Sequence, residues 1–314
     1  MKGLKSERHH CWPVCVSELW SDEQGGIHRL SPDGTIRRAA PRNFGVIGNG
    51  HTVKLSHDPS ETTPFDECFE SEFQDADSNF RSVIEFLYQI CPDNSGFSEL
   101  NPDRIRPHHI SDDMFNRIPS CVISLAVRSP LFRERSVRLV EGLRGPLPER
   151  ERNMLIGSNI RNAFKDTVRE VGGHGVLLSV HSEEAEFIFG DGFYNDIPIP
   201  VQYISNMTLF SPLTPSLAVL YARRPSQVIA ERLFSIHISK EETEFLNNSI
   251  HVYSRREIFY RSQRPPVSPA FASGEHLRYS DDDNPVDRLV SMIPVFRDYF
   301  AELFAIKRGL WWLL

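Results

Sequence analysis

Apolar residues recur at three-to-four-residue spacing between Phe65 and Val171, and from Gly175 onward the period drops to two. This switch constrains the fold more than any single motif, because a 3.6 period puts an apolar stripe on a helix and alternation puts an apolar face on a strand. The chain reads as an α+β fold: a helical layer packed on a mainly antiparallel sheet built from hairpins.

Within the helical layer, Phe65, Phe69, Phe73, Ala76, Phe80, Val83, Ile84 and Leu87 predict a helix opening at Thr63-Pro64-Phe65. Its carboxylates Glu67, Glu70, Glu72, Asp75 and Asp77 crowd the first turns, where the positive end of the helix dipole favours them. Glu72 sits between the two faces and is the one placed to project into a site. Ser111-Asp112-Asp113 caps a second helix that runs through Cys121 to Val127, and Arg128-Ser129-Pro130 ends it, since the residue before a proline avoids helical angles. Leu131 to Leu143 and Glu149 to Val171 continue the layer, the latter stopping at Gly172-Gly173.

The strands show turn chemistry at their ends. Ser31-Pro32-Asp33-Gly34 joins two short strands into a hairpin, and Val176 to His181 and Ala185 to Phe189 flank a polar turn as a second one. Thr208-Leu209-Phe210 and Ser216 to Tyr221 give two more strands, before a helix at about 240–255. Gly48-Asn49-Gly50-His51 lacks the Lys-Ser/Thr and the helix that a phosphate loop requires, and reads as a turn.

Residues 1–263 are read as a single α+β domain, 264–285 as a linker, and 286–314 as an amphipathic helix, kinked near Pro294, with an apolar tail. The tail Leu310-Trp311-Trp312-Leu313-Leu314 would be an aggregation hazard if exposed, so it is expected to dock on the body, on a second copy or on a partner protein. Five cysteines, an odd number, behind a polar N-terminal stretch imply free thiols and a cytoplasmic location. No apolar run reaches the roughly 18 residues of a membrane helix, so no membrane partner is expected. The net charge of -7 weighs against indiscriminate binding to polyanions, so any contact with nucleic acid must be local. One basic cluster exists, seven arginines against four glutamates between Arg128 and Arg152, and its plainest reading is a solvated helix face laced with ion pairs.

Two features carry chemistry. His9 and His10 are adjacent near the start of the chain, and a buried imidazole wants a partner. Cys11 and Cys15 beside them have a C-x3-C spacing, yet no second pair supplies the other half of a structural zinc site. Asp191 lies between Gly190 and Gly192 at a strand end, either accessible to a ligand or closing a plain turn.

Taken in order, His9-His10-x-x-Pro13, the Glu-rich helix around Glu72, Arg128-Ser129-Pro130, Glu186-Phe187-Ile188-Phe189-Gly190-Asp191 and Phe210-Ser211-Pro212-Leu213-Thr214-Pro215 resemble the bacterial and fungal family called domain of unknown function 4238. The resemblance covers roughly residues 8–260 and rests on motif order. It departs at Cys11-Trp12-Pro13-Val14-Cys15, where the family has Y-V-P-Q-F, and at Gly190-Asp191-Gly192-Phe193, where it has S-D-N-P. It implies a shared fold and a shared polar site, with no established activity.

His9, His10, Glu72, Arg128 and Asp191 are therefore expected to converge. An imidazole oriented by a carboxylate, with an arginine for the phosphate, suits a hydrolase of the nuclease or phosphodiesterase type, with or without a divalent metal. The alternative is a non-enzymatic interaction or nucleotide-binding protein of a bacterial conflict or defence system. On a purely architectural reading, Arg128 pairs with Glu72, His10 caps a buried turn and Asp191 closes a hairpin.

Overall fold

The computed structural model describes residues 8–48, 52–53, 67–92, 104–197, 207–223, 231–279 and 284–296. The chain begins with β1 (Arg8–His10), α1 (Val14–Leu19), β2 (Ile27–Leu30), β3 (Ile36–Ala39), β4 (Val46–Gly48), β5 (Thr52–Val53) and β6 (Glu67–Cys68). It continues through α2 (Gln74–Gln89), β7 (Arg106–His108), α3 (Asp112–Arg128), α4 (Pro130–Arg144) and α5 (Glu149–Val171). The second half holds β8 (Val176–Ser182), β9 (Phe189–Gly190), β10 (Met207–Thr214), β11 (Leu217–Arg223), β12 (Leu233–Ile238), α6 (Lys240–Tyr253), β13 (Ile258–Tyr260), α7 (Pro269–Ala272) and α8 (Pro285–Met292). The fold is α+β.

Two sheets organise it. The larger has the order β10-β11-β8-β12-β7, antiparallel except where β12 runs parallel to β8. β8, β10 and β12 are buried along their whole length, as the near-continuous apolar runs of a sheet covered on both faces require. α6 covers one face, where the Thr243 hydroxyl donates to Ser182 Oγ at 2.7 Å. Pro212 is accommodated because β10 is an edge strand and carries an irregularity between Pro212 and Thr214. The smaller sheet, β3-β2-β13-β9, is wholly antiparallel and assembles segments from both ends of the chain. α2, α3, α4 and α5 pack together as the expected helical layer. No helix among the described residues is long and apolar enough to cross a membrane.

Three expectations change, and a fourth, the kink near Pro294, holds. The hairpin after β8 does not form: residues 185–188 follow the β10–β11 turn instead, with the Phe187 N–H on the Pro215 carbonyl, and β9 pairs with β13. α2 starts at Gln74, so Glu72 lies in a preceding 3-10 turn, Glu70–Phe73, rather than on the helix. The described part of the segment read as a linker, 264–279, is anchored: Phe271 is fully buried against His251, and the Leu277 N–H donates to the Val252 carbonyl. The C-terminal helix halts at Met292 and turns again just past Pro294, with Val286, Leu289, Val290, Ile293 and Phe296 buried beside α6. The apolar tail at 310–314 lies outside the described residues.

Candidate functional site

A cavity of about 490 Å³ opens where the start of α4 meets the smaller sheet. The local sequence aims α4 at it. Ser129 caps the helix, its hydroxyl accepting from the Phe132 N–H at 3.2 Å and donating to the Ala126 carbonyl at 2.6 Å, and Pro130 fills the first helical position, where no N–H is needed. Arg133 and Glu134, one turn on, therefore face the cavity, with Arg152 of α5 beside them.

Asp191 fastens the opposite wall. Its carbonyl accepts from the Leu131 N–H at 3.1 Å, its N–H donates to the Glu257 carbonyl at 3.1 Å, and its carboxylate accepts from the Arg255 and Arg256 N–H groups at 2.7 and 2.9 Å. The flanking glycines are required by close approach rather than by freedom to reach a ligand. A Cβ at Gly190 would collide with the Ser254 hydroxyl, and one at Gly192 with the Tyr253 carbonyl. Burial pushes the Asp191 carboxyl up to about 6, against the pull of those two N–H donors.

Glu134 behaves oppositely in the same cavity. Burial would raise it, but His276 at 3.5 Å and Arg255 at 2.6 Å hold it down to about 2, and Arg256 lies at 3.1 Å. Arg29 pairs with Glu257, and Arg152 with Glu141 at 3.1 Å. Burial, with Arg152 beside it, disfavours the charge of Arg133, while Cys11 favours it. Trp12 completes the wall, stacked edge-on with Phe189 and Phe259, and its buried indole N–H has no hydrogen-bond partner among the described residues. Burial pushes the Cys11 thiol up to about 11, so it stays protonated and is no nucleophile.

The expected site residues whose side chains are described do not share this cavity; of those four, Asp191 alone lines it. His9 lies in β1, paired with Ile47, and its side chain is outside the described residues. His10 is adjacent to the wall residue Cys11, but its ring Nε2 is 3.3 Å from the Arg42 carbonyl. Glu72 is taken up by α5, with Lys165 Nζ at 2.5 Å and Arg161 Nε at 3.5 Å. Arg128 is 2 % exposed and fully engaged: it forks onto Asp77 at 2.6 and 3.1 Å, donates to Ser124 and lies over the Phe73 ring. Its partner is Asp77 of α2 rather than Glu72, because Glu72 falls before the helix begins.

Arg133, Arg152 and Trp12 were not singled out from sequence; the arginine excess between 128 and 152 was the signal that contained the first two. Among the described residues no group of three or more His, Cys, Asp or Glu could hold a metal ion, and Cys11 is buried while Cys15 is exposed. A comparison with models of protein families, with curated proteins and with solved structures finds no match for this chain.

Proposed function

We propose that this cavity takes a phosphodiester of nucleotide size and hydrolyses it. The observation that carries the reading is geometric: Arg133 and Arg152 line one cavity together with the buried carboxyl of Asp191. An anion between Arg133 and Arg152 relieves their repulsion, and the planar fork of each suits the non-bridging oxygens of a phosphate. The unpartnered Trp12 N–H is a further donor in the wall. A volume of about 490 Å³ suits a nucleotide or a strand end and is too small for a duplex. Pro130 and Asp191, from two of the segments that resemble the domain of unknown function 4238 family, line the cavity, and so do Cys11 and Trp12, where the first segment departs from the family pattern.

In this mechanism water attacks phosphorus as the ester P–O bond breaks. Asp191, ionised above about pH 6, accepts the proton of the water and later returns it to solvent, while the departing oxygen is protonated from solvent at the open mouth. Arg133 and Arg152 stabilise the charge that develops on the phosphoryl oxygens. A base of this kind is worth about 10² to 10⁴ in rate.

Both oxygens of Asp191 already accept backbone N–H groups, and this favours a second reading in which the cavity binds a phosphate ester without cleaving it. One experiment separates the two. Wild-type protein, Arg152→Gln and Asp191→Asn are incubated with short labelled RNA and DNA and with bis(p-nitrophenyl) phosphate, with added magnesium or with chelator. Hydrolysis by the wild type that falls about 10²-fold or more in Arg152→Gln supports the enzyme. Cleavage unchanged in both variants ends the proposal, and a nucleotide that raises the melting temperature with no product formed selects the binding reading.

A further inference from the structure

On the other side of α4 lies a second, larger cavity of about 740 Å³. Arg135, Arg138 and Arg278 line it, and none of the three forms an ion pair among the described residues. Arg135 is half-buried and gives its hydrogen bonds to uncharged acceptors only, the Asn195 carbonyl and side-chain oxygen at 3.3 and 3.0 Å and the Ile197 carbonyl at 3.3 Å. Arg138 and Arg278 have no hydrogen-bond partner among the described residues. The carboxylates of the same cavity, Asp196 and Asp287, engage the Tyr194 hydroxyl at 3.4 and 3.5 Å, and Asp287 also takes the Asn284 amide at 3.0 Å. Burial and the approach of Arg278 disfavour the charge of Arg135, and Asp196 and Tyr253 offset this in part.

The same cavity has an apolar rim. Leu139 and Leu143, 69 % and 80 % exposed, are the most exposed large hydrophobic side chains among the described residues, and Leu277 joins them from the strap that follows α7. Arg138 and Arg278, without an ion pair or hydrogen bond among the described residues, and leucines lacking cover call for one ligand with both an anionic and a flat apolar part. We infer that this cavity is a second ligand site, for a nucleoside polyphosphate, with the phosphates held by Arg135, Arg138 and Arg278 and the base laid on Leu139, Leu143 and Leu277. The inference uses none of the residues proposed for catalysis and holds whether or not the first cavity is an enzyme site.

Calorimetric titration of the full chain with ATP, adenosine and inorganic tripolyphosphate tests it. Arg138 and Arg278 are exposed and unpartnered, so Arg138→Gln/Arg278→Gln should fold normally, which melting at pH 7 checks. The expected result is one ATP site weakened at least tenfold in Arg138→Gln/Arg278→Gln and in Leu139→Gln/Leu143→Gln, and unchanged in Arg152→Gln. Loss in Arg152→Gln alone would assign the ATP to the first cavity and overturn the inference, as would no binding at millimolar ATP. Tripolyphosphate binding as tightly as ATP would remove the role of the leucines and overturn the nucleoside assignment.

Discussion

Arg128 and Arg133 stand five positions apart in sequence, yet they illustrate two ways for a fold to hold a buried cation. Around Arg128 the α2–α3 layer closes completely, with a forked carboxylate, a helix carbonyl, a hydroxyl and an aromatic face all directed at one guanidinium. Around Arg133, past the Ser129-Pro130 corner, the neighbours include a second guanidinium and an open cavity. The first arrangement is spent on holding helices together, and the second places a guanidinium at the wall of a cavity. A strongly basic stretch therefore contains both kinds, and only packing sorts them.

The comparison breaks most visibly at Asp77. Asp77→Ala strands the Arg128 charge in the interior and should cost about 3–5 kcal/mol by urea unfolding, whereas a loss under 1 kcal/mol would make the clamp dispensable. Asp191→Asn comes next: it keeps the shape but offers one oxygen and one NH₂ to two N–H donors, with an expected loss of about 1–3 kcal/mol in the same assay. Arg152→Gln should lie at the other pole, changing stability by less than about 0.5 kcal/mol while removing hydrolysis or ligand binding. If it unfolds the protein instead, Arg152 belongs with Arg128.

Acidity gives a finer test. Burial holds His181 and His251 down to about 4, so their contribution to stability is complete above pH 6.5 and is lost as pH falls through 4. Asp191, raised to about 6, runs the other way: its contribution is present at low pH and lost as pH rises through 6. With two groups against one, melting temperature should fall between pH 6.5 and 4. Asp191→Asn removes the opposing slope and should steepen that fall; a shallower profile in the variant would contradict the environment assigned to Asp191.

The helical layer was legible because its apolar period is local, and α3, α4 and α5 begin and end within a residue or two of their caps and breaks. β8, β10 and β11 were legible for the same reason. The smaller sheet was not, since β9, β13 and β2 meet through pairings between remote segments that no local pattern encodes. His9-His10 drew attention by rarity, but β1 is fixed by backbone pairing to β4, and the His10 ring lies against the Arg42 carbonyl. Asp191 could be found because glycines on both sides mark a crowded backbone, although they serve packing. Arg133 and Arg152 stayed hidden because composition counts charges without saying which face of a helix looks into a hollow.

The pairing of β2 with β13 has a consequence for the newborn chain. Arg29 and its partner Glu257 are 228 residues apart. At about 5–20 residues per second, the ribosome needs roughly 10–45 s to make the stretch between them. Throughout that interval the first hairpin has an unpaired edge, so anything that shields or captures that edge during translation decides how much of the protein matures.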